Sequence, residues 1–457
     1  MSSKFFFLNR FIVFSFFSLF FIACNTDDDQ NRISDDRNID QLNAKVVQEW
    51  SHLILELERY CEGMRPNASA RAFAYMNLAT YETAVTAMPN YSSNNNRYTN
   101  LLIDFNKKSE NIDYNIALNG CFARVSEYFL FSIPNNLKAK IKNLENRLST
   151  TFGGNSNKQQ LEASKNWGIY VANQVIEYSK TDTEAELQLG SPQPLSYEPP
   201  IGEGFWTYSA NEERALFPYW GSVRTFAIDL DNINSIAPLP YSTATESPYF
   251  KEMMEVYEKN NAAKNTNNED LWIAEFWSDD VENLMFSPPA RQISIAYQLI
   301  EQQNLNLEEA LVLYLKLGFA LNDAAVATWK HKYEYMVMRP NVFIQQHIDA
   351  SYQTNLFRLV FWPNPSFPAY PSGHSCFAAA AAGVFIETFG NEVNFADRSH
   401  EGRSEFKGKP RDFSSFEKMA KENAYSRIPL GVHMRMDCAE GLRLGYDIAD
   451  EVNAISL

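Results

Sequence analysis

The run "CFAAAAAGVF", residues 376–385, constrains this chain more than any other stretch. Alanine is the strongest helix former and carries almost no side chain. Five in succession, with phenylalanines on either side, therefore predict a helix packed tightly against its neighbours. The lead-in "FPAYPSGH" supplies a serine suited to capping and a histidine in the first turn. Helical spacing recurs along the chain, in "IDQLNAKVVQEWSHLILELERYC", in "NASARAFAYMNLATYETAVTAM" and over residues 114–131, 134–150 and 157–181. It returns in "SPYFKEMMEVYEKNN", "PPARQISIAYQLIEQQ" and "NLEEALVLYLKLGFALNDAAVATWKHKYEYMVM", the last stopping at Arg339-Pro340, as a following proline requires. Near the end, Cys438, Leu442, Gly445, Ile448, Val452 and Ile455 form one core-facing stripe. Strand signals are few and no internal repeat is present. The expected fold is all-α, a large helical-bundle body.

Between the helices, residues 182–245 are rich in proline, glycine and aromatics, as in "LGSPQPLSYEPPIGEGFW" and "FPYWGSVRTF". A segment that long is expected to be functional or an ordered cover. It divides an N-terminal helical region with long ordered loops, residues 39–245, from a C-terminal helical region, residues 246–457. Residues 39–457 are expected to make one structural unit. Forty basic residues against 56 acidic ones give a net charge of −16, which argues against a nucleic-acid partner. Any anion site must then be a local cluster of cations.

The first 23 residues read as an export signal: Lys4 and Arg10 flank "FFFLN", and "FIVFSFFSLFFIA" is an apolar run of signal-peptide length. The run ends at Cys24 in a pattern that resembles the bacterial lipobox, in which the cysteine is lipidated. Residues 24–38, "CNTDDDQNRISDDRN", read as an acidic solvated tether resembling that of surface-displayed lipoproteins. The expectation is an exported lipoprotein at the outer membrane or cell surface, touching the membrane only through its lipid. No later stretch holds about eighteen uninterrupted apolar residues. Cys61, Cys121, Cys376 and Cys438 allow three pairings, or none if they are free buried thiols.

Three short stretches carry chemistry. In "WKHKYEYMVMRP", Lys332 and Arg339 stand seven residues apart, which on a continuous helix puts both on nearly one face, with Trp329 a turn before Lys332. Two cations amid Trp, Tyr, Met and Val call for an anion. In "YPSGHS", Gly373 permits close backbone approach. A helix starting near Ser372 would aim amides and the positive end of its dipole at one point, with His374 beside it. In "SRIPLGVHMRMD", a helix from about Gly431 would make His433 and Asp437 an i, i+4 pair. Asp437 would then hold one imidazole nitrogen and leave the other free as ligand or nucleophile. Arg427 adds a third cation with fork geometry. This inventory suits a phosphate-like group.

The three stretches together, Lys-x6-Arg-Pro, Pro-Ser-Gly-His and Ser-Arg-x5-His-x3-Asp, resemble the signature shared by vanadium-dependent haloperoxidases and the type 2 phosphatidic-acid phosphatase superfamily. The resemblance implies vanadate as cofactor, with His433 its covalent ligand and Asp437 orienting that histidine. Lys332, Arg339, Ser372, Gly373 and Arg427 would bind the equatorial oxygens, and His374 would be the acid–base catalyst. Trp329 and Phe367 resemble the aromatic wall on the halide side, where algal bromoperoxidases carry histidine in place of Phe367. The implied activity is oxidation of halide, iodide or bromide before chloride, by hydrogen peroxide to hypohalous acid. An organic acceptor and the oligomeric state stay open. The alternative is a soluble acid phosphatase working through a phosphohistidine at the same cage, because vanadate and the phosphoryl transition state share shape and charge.

Overall fold

The computed structural model describes residues 39–457 apart from 209–213, 265–267, 280 and 357–363. Cys24, the expected lipidation site, and the expected signal and tether lie outside the described residues. Arg37–Leu457 pack as one compact unit. The described residues hold fourteen α-helices and a single two-stranded sheet. In the N-terminal part these are α1 (Lys45–Glu58), α2 (Asn67–Ala84), α3 (Tyr114–Phe129), α4 (Asn135–Phe152), α5 (Lys158–Lys180) and α6 (Thr183–Gly190). Then follow α7 (Pro248–Ala263), α8 (Glu269–Phe276), α9 (Pro288–Gln302), α10 (Leu307–Tyr335) and α11 (Pro340–His347). Last come α12 (Gly373–Phe389), α13 (Phe416–Leu430) and α14 (Arg435–Asn453), with the antiparallel strands β1 (Phe395–Asp397) and β2 (Arg411–Phe413) between α12 and α13.

Helix starts follow local chemistry. Asn306 and Glu309 form a reciprocal capping box at the head of α10. Ser287 caps α9 with proline at the first position, and Ser372 caps α12. Helix α10 is 29 residues long and apolar enough to cross a membrane, yet 89% of its apolar window is buried inside the body, so it is the central core helix.

The alanine run pairs with glycines on α14. A Cβ at Gly441 would lie 2.5 Å from the carbonyl oxygen of Ser372, and one at Gly445 would strike the carbonyl of Cys376. Gly383 in turn admits Ala449. Only small residues let the two helices come this close, and the approach locks the head of α12 against α14. Of the expected stripe on α14, Cys438, Gly445, Ile448 and Val452 are buried, while Leu442 and Ile455 are only partly so. All four described cysteines are buried free thiols.

Two helical expectations are corrected. Helix α10 ends at Tyr335 rather than running to Arg339, because Met336 turns into the left-handed region (φ 52°) and its N–H closes onto the Lys332 carbonyl. Val337 then bridges to Phe205, and Arg339 becomes the N-cap of α11. Likewise no helix runs on from Gly431. That glycine ends α13 at φ 92°, and α14 starts only at Arg435, which leaves His433 in the connecting turn.

The described parts of the long segment cover α10. Asp323, fully buried, accepts the N–H groups of Phe226, Ala227 and Ile228 at 2.7–3.1 Å. Trp206 N–H reaches the Met336 carbonyl at 2.6 Å, and the Leu216 carbonyl accepts from both Trp329 Nε1 and Tyr333 Oη.

Candidate active site

All three sequence stretches converge where the ends of α10, α13 and α8 meet the heads of α11, α12 and α14. Lys332, in the last turn of α10, is completely buried. Its Nζ donates to the carbonyls of Pro368, Ala369 and Pro371 at 3.0, 2.8 and 2.6 Å. An ammonium has three donors, so this side chain spends them on shaping the loop ahead of Ser372. What it offers an anion is charge. Burial and the neighbouring Arg339 both push its pKa well below the ordinary lysine value.

Arg339 donates from Nε to the Phe367 carbonyl (2.8 Å) and from Nη1 to the Val432 carbonyl (3.0 Å), with His433 Nε2 3.3 Å from Nη1. Its guanidinium lies over the Phe367 ring, 4.8 Å from the centroid, and Lys332 Nζ approaches the same ring at 5.3 Å. Phe367 also meets Trp329 with centroids 4.8 Å apart. Trp329 and Phe367 thus stand together directly beside two of the cations.

His433 and Asp437 meet as expected, by a different local route. Asp437 is in the first turn of α14, where its Oδ2 accepts the Met434 N–H at 3.0 Å, and the same oxygen lies 3.0 Å from His433 Nδ1. Helix capping thus aims the carboxylate at the imidazole. With Nδ1–H donated to Asp437, Nε2 carries the lone pair. Burial, reinforced by Arg339, Lys332 and Arg427, pushes the His433 pKa well below 6.5, so the ring is neutral near pH 7. Burial raises the Asp437 pKa to about 7, against the pull of the Met434 N–H, Lys332 and Arg339.

Ser372 is tied to the same centre. Its N–H donates to the Asp437 carbonyl at 2.9 Å, and its Oγ accepts the Ser375 N–H at 3.4 Å as the cap of α12. Its amide is thus engaged within the protein, and the hydroxyl is the donor it can turn outward. Gly373 sits against Trp329, where a Cβ would come 3.4 Å from the indole edge.

His374 and Arg427 share an anchor that no motif announces. His374 Nε2 lies 3.1 Å from the Ser278 carbonyl oxygen, and Arg427 Nη1 donates to the carbonyls of Trp277 (2.9 Å) and Ser278 (3.3 Å). The turn after α8 thus positions both functional side chains. Its sequence, "FWSDD", carries no signature, because a backbone acceptor is independent of residue type.

Every expected cage residue from Trp329 to Asp437 is brought together here; Cys24 alone is not among the described residues. Lys332, Arg339 and Arg427 are each at most 2% exposed, and each donates to main-chain carbonyls that help to fix its position. Such a concentration of buried positive charge selects an oxyanion. No group of three His, Cys, Asp or Glu able to hold a metal cation occurs among the described residues. A surface groove lined by Gln298, Phe395, Asp412, Lys418 and Glu422 shares no residue with the cage.

Residues 312–456 match the VCPO second helical-bundle domain, the stretch that contains the whole cage. Vanadium chloroperoxidase of Curvularia inaequalis is 26% identical over 281 residues, 49% of this chain and 46% of that enzyme, so the match spans about half of the relative's length. The structure titled as the first bacterial vanadium-dependent iodoperoxidase superposes with a TM-score of 0.77 at 26% identity, over 90% of this chain and 96% of that one. A bacterial vanadium-dependent chloroperoxidase in its holo form shares the fold, with a TM-score of 0.62 at 16% identity over 86% of this chain and 92% of that one. The fold, the matched domain and the three converging motifs agree: the chain carries the VCPO second helical-bundle domain and is similar in fold and sequence to vanadium-dependent haloperoxidases.

Proposed function

We propose that this protein oxidises halide with hydrogen peroxide to hypohalous acid, X⁻ + H2O2 + H⁺ → HOX + H2O, on a vanadate held by His433. The observation that carries this is the meeting of three buried cations with a neutral imidazole whose Nε2 lone pair faces them. The donor set fits vanadate: one nitrogen ligand, and positive charge in place of carboxylates. When bound, vanadate supplies a Lewis-acid centre that activates peroxide without a change of oxidation state.

The chain's own residues do the rest. Arg339, Arg427 and the Ser372 hydroxyl bind and orient oxyanion oxygens, while Lys332 contributes the field of its buried charge. Asp437 keeps the His433 proton on Nδ1. His374, at the head of α12, moves protons to and from the oxygen that leaves as water. Iodide and bromide are favoured over chloride because each is easier to oxidise. The Trp329–Phe367 wall beside Lys332 and Arg339 gives a polarisable anion both apolar contact and charge. The likeness to a relative titled an iodoperoxidase supports the same order.

Vanadate binding provides a direct test. At a vanadate concentration 100 times its dissociation constant, the folded state gains about 2.7 kcal/mol. The unfolding midpoint should rise by several degrees and saturate. A midpoint indifferent to vanadate would remove this reading. We further propose that Cys24 is lipidated and carries the enzyme to the outside of a membrane.

A further inference from the structure

We infer that Arg291 is a positioning residue for the oxyanion cage, acting through the turn after α8. The inference rests on the vanadate site proposed above. Arg291 is on α9, is completely buried, and touches none of the cage residues by a hydrogen bond described here. Instead it grips the far side of the turn that anchors them. Its Nη2 donates to the Phe276 carbonyl at 2.7 Å and to Asp279 Oδ1 at 2.6 Å, with Nε 3.2 Å from the same carboxylate oxygen. The guanidinium also lies over the rings of Phe276 and Trp277, 5.0 and 5.4 Å from their centroids.

Both ends of residues 276–279 are therefore held by one side chain. The two carbonyls between them, of Trp277 and Ser278, are those that fix Arg427 and His374. Asp279 adopts φ 45°, a conformation uncommon for a residue other than glycine. Such a conformation persists only where the surroundings over-determine it, and Arg291 does so, with Nε and Nη2 both on one Asp279 oxygen. Nη1 of the guanidinium donates to Asp397 Oδ2, at the end of β1, at 3.3 Å, and His400 Nε2 lies against Nη2. The hairpin and α9 thus brace the turn from behind. Lysine keeps the charge but, as a compact ammonium without a planar fork, cannot hold the Phe276 carbonyl and the Asp279 carboxylate with the same geometry.

The test measures vanadate binding by Arg291→Lys, with far-UV circular dichroism and a cooperative melt to confirm folding. The expected result is binding weakened about 10–100-fold, the range typical of partners that orient ligand-bearing groups. In an Arg427→Ala background the same substitution should cost much less, because one of the groups it places is already gone; a merely structural role would give the same loss in both backgrounds. Should Arg291→Lys fail to fold, Asp279→Asn, which keeps size and tolerates the left-handed backbone, takes the same measurement and should show the same loss. A folded variant with wild-type vanadate affinity, or equal losses in both backgrounds, overturns the role of Arg291 and leaves the cage intact. Wild-type protein that takes up neither vanadate nor inorganic phosphate overturns the cage reading and this inference with it.

Discussion

His433→Ala should lose vanadate uptake and bring halide oxidation down to the background of buffer and peroxide, while the helical body still folds. His433 presents its Nε2 lone pair beside Arg339, whereas Lys332, Arg339 and Arg427 offer only N–H donors. Alanine removes the ligand itself, so the loss should exceed the roughly 10–100-fold that removing an outer partner costs. Folding should suffer little. The imidazole contributes hydrogen bonds to Asp437 and from Arg339, each worth about 0.5–1.5 kcal/mol, and Asp437 Oδ2 retains the Met434 N–H that starts α14. A pH series on the vanadate-free protein should support the same picture. His433 is held neutral below its ordinary pKa of 6.5, so the unfolded chain binds a proton that the folded one refuses. Its contribution to stability is complete above pH 6.5 and declines as pH falls below it, and the alanine variant should show a shallower decline.

His374→Ala should separate turnover from binding. The residue lies in the first turn of α12, with Nε2 against the Ser278 carbonyl and no bond to the His433–Asp437 pair. Its expected task is proton transfer, which a positioned side chain accelerates by about 10²–10⁴-fold. The variant should lose that much in kcat, while vanadate affinity changes by about tenfold at most, since Arg339, Arg427 and Ser372 remain. Equal losses in affinity and turnover would make His374 a binding group instead. Measuring the vanadate dissociation constant beside kcat at saturating vanadate distinguishes the two.

The identities of the cage residues were legible in the sequence because charge, imidazole and the capping serine are properties of residue type. Their routes to the site were not. Lys332 and Arg339 were expected on one helical face, yet Met336 breaks the helix between them, and they meet because the Phe367–Ser372 loop wraps both. His433 and Asp437 were expected on one helix, yet the capping of α14 brings them together across its start. The acceptors that fix the cations, the carbonyls of Phe367, Pro368, Ala369, Pro371, Trp277, Ser278 and Val432, leave no trace in residue identity. They depend on where the backbone turns. The alanine run fared better, because close packing needs small residues on both sides, and Gly441 and Gly445 supply the other half.

The acid phosphatase alternative draws no support from the three relatives compared above, each named for vanadium-dependent peroxidase chemistry. The central claim is tested most directly by one assay on the purified protein loaded with vanadate: peroxide-dependent oxidation of iodide and bromide, with hydrolysis of p-nitrophenyl phosphate by the vanadate-free protein followed alongside. The account predicts vanadate-dependent halide oxidation, faster with iodide than with bromide, that His433→Ala abolishes. Vigorous phosphate-ester hydrolysis with no halide oxidation after vanadate loading would contradict it.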